Sequence, residues 1–146
     1  MTDKEKLKKD CVQKIKQHVT LLYAEDETMV KEASIKSLKR RFKEVYTAVD
    51  GKEGLGLFKK YRPDIVLTDI LMPKHNGFEM IKQIREIDQN VPIVVITALP
   101  EDTYLAHAKE YSVQGYFIKP IKEEQFLEFL YSVSTTLIDV SDACDD

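Results

Sequence analysis

Five residues of types that do chemistry together are Glu25, Asp26, Asp69, Thr97 and Lys119. Each stands where a short apolar run stops. VTLLYA ends on Glu25-Asp26, Ile65-Val66-Leu67 runs out at Asp69, VPIVVI ends on Thr97, and Tyr116-Phe117-Ile118 ends on Lys119. Three carboxylates brought together repel unless a cation or protons compensate. An all-oxygen, carboxylate-rich set suits Mg²⁺, or Mn²⁺, with water filling the remaining positions. Such an ion can clamp a phosphoryl group and neutralise its charge. Lys119 would add a fixed positive charge, the Thr97 hydroxyl would donate to a phosphoryl oxygen, and one carboxylate could act as nucleophile. Taken singly, each has a plainer role. Asp69 could start a turn, Asp26 or Thr28 could cap a helix, Thr97 could be a β-branched strand residue, and Lys119 a surface lysine. Their shared place at strand ends gives the set its weight.

The elements that must position them read as alternating strands and helices. Strands are expected at 19–24, 45–49, 65–67, 91–96 and 116–118. The fourth is apolar enough to be buried on both faces. Apolar residues recur at helical spacing over 28–42, with Met29, Ala33, Ile35, Leu38 and Phe42. Asp50 with Glu53 makes a capping pattern for a helix burying Leu55, Phe58 and Tyr61, which Arg62-Pro63 stops. Gly54 and Gly56 lie inside that helix, each costing roughly 1 kcal/mol against alanine. Asn76-Gly77 turns into a helix bearing Phe78, Ile81, Ile84 and Ile87. Pro100-Glu101-Asp102 opens another, and a last one runs over 122–137 with Phe126, Leu127, Phe129, Leu130 and Val133 inward. Five strands alternating with five helices imply an α/β fold: a doubly wound, five-stranded parallel sheet with helices on both faces. The order 2-1-3-4-5 is the common right-handed solution. It makes strands one and three neighbours, so Glu25, Asp26 and Asp69 converge on one rim, with Thr97 and Lys119 pointing to it.

With 146 residues, 43% hydrophobic and 32% charged, the chain suits one soluble domain. A net charge of -3 offers no electrostatic case for direct nucleic-acid binding. No run approaches the ~20 apolar residues of a membrane span, and the charged start MTDKEKLKKD has no signal-peptide core, so a cytoplasmic location is expected. Cys11 and Cys144 show no metal-ligand spacing, and free thiols are the default. Residues 1–18 form an N-terminal extension, helical or disordered, with Leu7, Cys11 and Ile15 four apart; a solvated end is the favoured reading. Residues 19–137 form the domain, and 138–146 an acidic tail or the start of a linker. His18, His75 and His107 receive no catalytic role.

YAEDE after the first strand, LTDILMPKHNGFE around the third, ITA at the fourth and GYFIKP at the fifth together resemble the receiver domains of two-component response regulators, over about 19–137. The resemblance implies a flavodoxin-like fold and a switch in phosphorelay signalling that assists its own phosphoryl transfer without being a turnover enzyme. Asp69 would be the phosphoacceptor and also touch Mg²⁺. Asp26 would ligate the ion directly, Glu25 through water, and the Leu71 backbone carbonyl would complete the protein ligands. Thr97 would be the switch hydroxyl, Tyr116 the switch aromatic and Lys119 the phosphate partner, with Lys119-Pro120 cis. Leu71 and Leu99 would flank the approach of a hydrolytic water. Implied partners are a sensor histidine kinase or phosphotransfer protein, a downstream output domain or protein, and a homodimer through the face of the fourth core helix, fifth strand and last helix. Glu25 departs from the more usual Asp. The rivals are a non-phosphorylated, receiver-like interaction module, a haloacid-dehalogenase-type phosphatase and a flavin binder. The phosphatase wants an acid at Leu71, and the flavin binder a phosphate loop where EDET stands.

Overall fold

Alternation along the strands sorts the side chains into two cores, one on each face of a single parallel sheet. The computed structural model describes residues 3–72, 76–99 and 109–138. The helix expected from Pro100, His75, His107, Cys144 and the tail 139–146 lie outside these, as do the side chains of Thr28, Met29 and Ala33. The described elements, in chain order, are α1 (Asp3–His18), β1 (Thr20–Ala24), α2 (Thr28–Lys39), β2 (Glu44–Ala48), α3 (Gly51–Tyr61), β3 (Ile65–Thr68), α4 (Gly77–Ile87), β4 (Ile93–Thr97), β5 (Gly115–Ile118) and α5 (Glu123–Thr135). The strands pair in the order β2-β1-β3-β4-β5, as the sequence implies.

Leu21 and Tyr23 of β1, Ile65 and Leu67 of β3, and Val94 and Ile96 of β4 face one core with Leu38 of α2, Phe42 just after it, and Phe126 and Leu130 of α5. Leu22, Ala24, Val66, Ile93 and Val95 face the other, against Phe58 of α3 and Met80, Ile81 and Ile84 of α4. This is the period-2 geometry of strands covered on both sides.

The N-terminal segment corrects the expectation of a solvated end. It is a helix whose Ile15 is 1% exposed and whose Cys11 is buried. Ile15 joins the first core, and the Lys16 ammonium donates to the carbonyls of Lys39 and Phe42 at the end of α2. Those carbonyls lack helical partners, and a cation suits them. Cys11 is in a disulfide, not a free thiol. The core also extends to Ile138, one residue beyond the boundary set from sequence.

Tyr61 differs from expectation too. It is exposed and stacks on Tyr46, with ring centroids 4.3 Å apart. Asp50 caps α3 by accepting from the Glu53 amide, and Asn76 caps α4 by accepting from Glu79.

Candidate functional site

Asp69 is the first residue beyond β3, and its amide donates to the Ala24 carbonyl at 3.0 Å, fastening it to the end of β1. Its Oδ1 accepts from the amides of Ile70 (2.6 Å) and Leu71 (3.3 Å). Its Oδ2 accepts from Lys119 Nζ at 2.7 Å. The same ammonium donates to Glu25 Oε2 at 2.8 Å and lies 3.9 Å from Glu27 Oε1. Glu25 is 1% exposed, and its Oε1 accepts from the Glu27 amide at 3.3 Å. The ends of β1, β3 and β5 thus converge on one ion-pair network, in which the Lys119 contacts to Asp69 and Glu25 are short enough for charge-assisted hydrogen bonding and the one to Glu27 is not.

Burial drives the Glu25 carboxyl above its ordinary value and the charge of Asp69 adds to that, while Lys119 and the Glu27 amide pull back only in part. For Lys119, burial pulls downward, but the hydrogen bonds and charges of Asp69 and Glu25 win and hold the ammonium protonated well above the usual lysine range.

Thr97 closes β4 and is fully buried. Its hydroxyl oxygen accepts from the Leu99 amide at 3.3 Å, and its carbonyl accepts from the Lys119 amide at 2.8 Å. Tyr116 lies opposite Val95 on β5 and is partly buried against the second core. The Lys119-Pro120 bond is cis. Gly77 closes the floor. Its amide donates to the Ile70 carbonyl, and a Cβ there would collide with the carbonyl oxygen of Asp69. From sequence Gly77 is only a turn residue; its close approach to Asp69 depends on the path of residues eight positions back.

Among the described residues, Glu25, Glu27 and Asp69 each offer a carboxylate oxygen, all within 4.8 Å of one another. Asp26, expected as a direct ligand, is exposed and outside that group. Glu27 is absent from the sequence reading; the run EDE held the signal, since three consecutive acids leave a strand end there. The donor set fits a hard divalent cation, because three carboxylates against one ammonium leave two negative charges. Leu71 contributes its amide to Asp69, and its side chain is 54% exposed.

The family model for the response regulator receiver domain matches residues 21–131. The transcriptional regulatory protein AfsQ1 of Streptomyces coelicolor is 35% identical over 103 residues, 70% of this chain and 45% of that protein. The chain thus spans under half the length of this curated relative. The N-terminal domain of an uncharacterized protein of Wolinella succinogenes superposes with a TM-score of 0.78 at 33% identity, over 82% of this chain and 97% of that one. The Vibrio cholerae chemotaxis protein CheY4 superposes at 0.73 with 28% identity, over 79% and 98%. No described helix is long and apolar enough to cross a membrane. The strand order, the acids and lysine at the strand ends and the family match agree: this chain belongs to the response regulator receiver domains, the signal-transduction switches of two-component systems.

Proposed function

We propose that Asp69 accepts a phosphoryl group from a phosphohistidine of a sensor kinase or phosphotransfer protein. The observation that carries this is the Lys119 ammonium held between Asp69 and Glu25 at the carboxyl ends of three strands. A carboxylate oxygen of Asp69 attacks phosphorus. The new O–P bond forms as the N–P bond of the donor breaks, and the imidazole nitrogen keeps the electron pair and takes a proton. Two amides and an ammonium fix the Asp69 carboxylate before the donor arrives, so little orientational freedom is lost in the step. Lys119 remains cationic throughout and balances charge on the transferred oxygens. Thr97 stands at the neighbouring strand end to donate its hydroxyl to one of them.

Mg²⁺, or Mn²⁺, held by Asp69 and Glu25 with Asp26 and the Leu71 carbonyl as further ligands, would supply charge neutralisation to the phosphoryl oxygens. Phosphorylation draws the Thr97 hydroxyl inward and lets Tyr116 turn into the space vacated. The signal passes to an output domain or protein, or to a second copy through the β5–α5 face and the helix expected from Pro100. The domain assists its own phosphorylation without being a turnover enzyme, and the compartment is the cytoplasm.

Incubation with a small acyl phosphate and Mg²⁺ is expected to add one phosphoryl mass. Asp69→Asn or excess chelator is expected to abolish it. Equal labelling of the Asn variant would move the acceptor elsewhere. No labelling of the wild type would favour a receiver-like interaction module instead.

A further inference from the structure

We infer that Glu27 is a ligand of the divalent cation in this chain, a role the family pattern gives to Asp26 and not to its neighbour. The inference rests on the phosphoacceptor reading and extends it by one residue. Glu27 sits directly before α2, where the chain leaves the end of β1. Its carboxylate faces the site: one oxygen lies 3.9 Å from Lys119 Nζ and belongs to the group it forms with Glu25 and Asp69. Its backbone is held there as well, since its amide donates to Glu25 Oε1.

The division of labour among the three acids follows from their partners. Asp69 already carries two amides and the ammonium, and Glu25 carries one amide and the same ammonium. Glu27 is 61% exposed on its side chain and approaches the ammonium only at long range. It can therefore turn an oxygen to an incoming ion without breaking a short hydrogen bond. It closes the site on the solvent side, where water would otherwise complete the coordination. A further carboxylate raises the affinity of an oxygen site for a divalent ion, because ligand charge is a main determinant of that affinity.

The experiment is a Mg²⁺ titration of the full chain without phosphodonor, followed by backbone amide chemical shifts, for the wild type, Glu27→Gln and Asp26→Asn. Melting in chelator checks that Glu27→Gln keeps the wild-type fold, as expected for an exposed side chain. Glu27→Gln is expected to weaken Mg²⁺ binding about tenfold and to keep most of that loss in about 0.5 M KCl, where charges beyond a few ångströms are screened. Wild-type affinity in Glu27→Gln, with the loss confined to Asp26→Asn, overturns the assignment. So does a loss that vanishes in salt, which would make Glu27 a distant charge. A wild type that binds no Mg²⁺ removes the metal reading itself along with this inference.

Discussion

The Lys119 ammonium holds two buried carboxylates apart from open repulsion, so its removal should be felt as an electrostatic fault. Glu25 has a raised carboxyl in the folded chain. Its ionised form therefore opposes folding little at or below the ordinary 4.5, and increasingly as pH rises through the raised folded value. Lys119 works the other way: its stabilisation is full below the ordinary lysine value of 10.5 and is lost as pH rises through the higher folded one. Lys119→Met is expected to destabilise the chelator-treated protein on the order of 3 kcal/mol near neutral pH, the low end for an ion pair left half-broken, because Lys119 keeps some exposure. At a mildly acidic pH the cost should shrink, since the raised Glu25 carboxyl takes its proton sooner than an ordinary one. Denaturant titrations at the two pH values check this; an equal cost at both would mean that Glu25 is not the group left unpaired. A second residue-scale effect concerns loss of the phosphoryl group. Leu71 is exposed beside Asp69, and Leu99 is partly buried against the second core. Neither side chain can hydrogen-bond a water, and positioning is a large part of phosphoryl-transfer catalysis. Leu71→Asn with Leu99→Glu should speed dephosphorylation about tenfold, near 1.4 kcal/mol off the barrier. A phosphate lifetime unchanged at equal Mg²⁺ would clear the leucines.

At the scale of elements, the glycines of α3 show what a sequence reveals and what it hides. Counted from sequence, Gly54 and Gly56 are equal penalties in one helix. In the fold they differ: a Cβ on Gly54 would come within 2.5 Å of Met80 Sδ, whereas Gly56 has open space around it. Gly54 is where α3 and α4 approach closely beneath the site. Gly56→Ala is therefore expected to stabilise by roughly 0.5–1 kcal/mol through helix propensity and a less free unfolded chain. Gly54→Ala should instead destabilise, and thermal melts of the two variants decide the sign. The strands and their acidic ends were legible because alternation and apolar runs are local signals. So were the caps Asp50 and Asn76, whose partners sit three residues on. Arg85 was not. Its guanidinium binds the carbonyls of Tyr111, Val91 and Ser112, pinning the approach to β5, and two of those three partners are more than twenty residues away. Glu27 was missed for a related reason: which acid of EDE turns inward depends on the path between β1 and α2.

For the whole molecule, the question is how far the cooperative unit extends beyond the segment that matches the family. The match begins at residue 21, yet the first core begins earlier, at Ile15 and Val19, and runs on to Ile138. Leu7, Cys11 and Ile15 looked too sparse among lysines to hold a helix against solvent, and alone they would be. The chain supplies what the helix lacks: an apolar seat between the end of α2 and α5, and exposed carbonyls for Lys16. Packing then decides what local propensity leaves open. Ile15→Ala removes three carbons from a site 1% exposed and is expected to cost 2–5 kcal/mol, as large-to-small core changes do. With a melting entropy usual for this size, that is a drop of roughly 6 °C or more. An exposed neighbour on the same helix provides the contrast. Gln17→Ala should change the melting temperature little, because it alters no buried surface. Reductant in both samples removes any contribution from the Cys11 disulfide. If Ile15→Ala melts with the wild type, α1 is an appendage that the core does not need. If it melts low in a single transition, with amide exchange in β1 and α5 quickened alongside α1, the helix is part of the folding unit that holds the site.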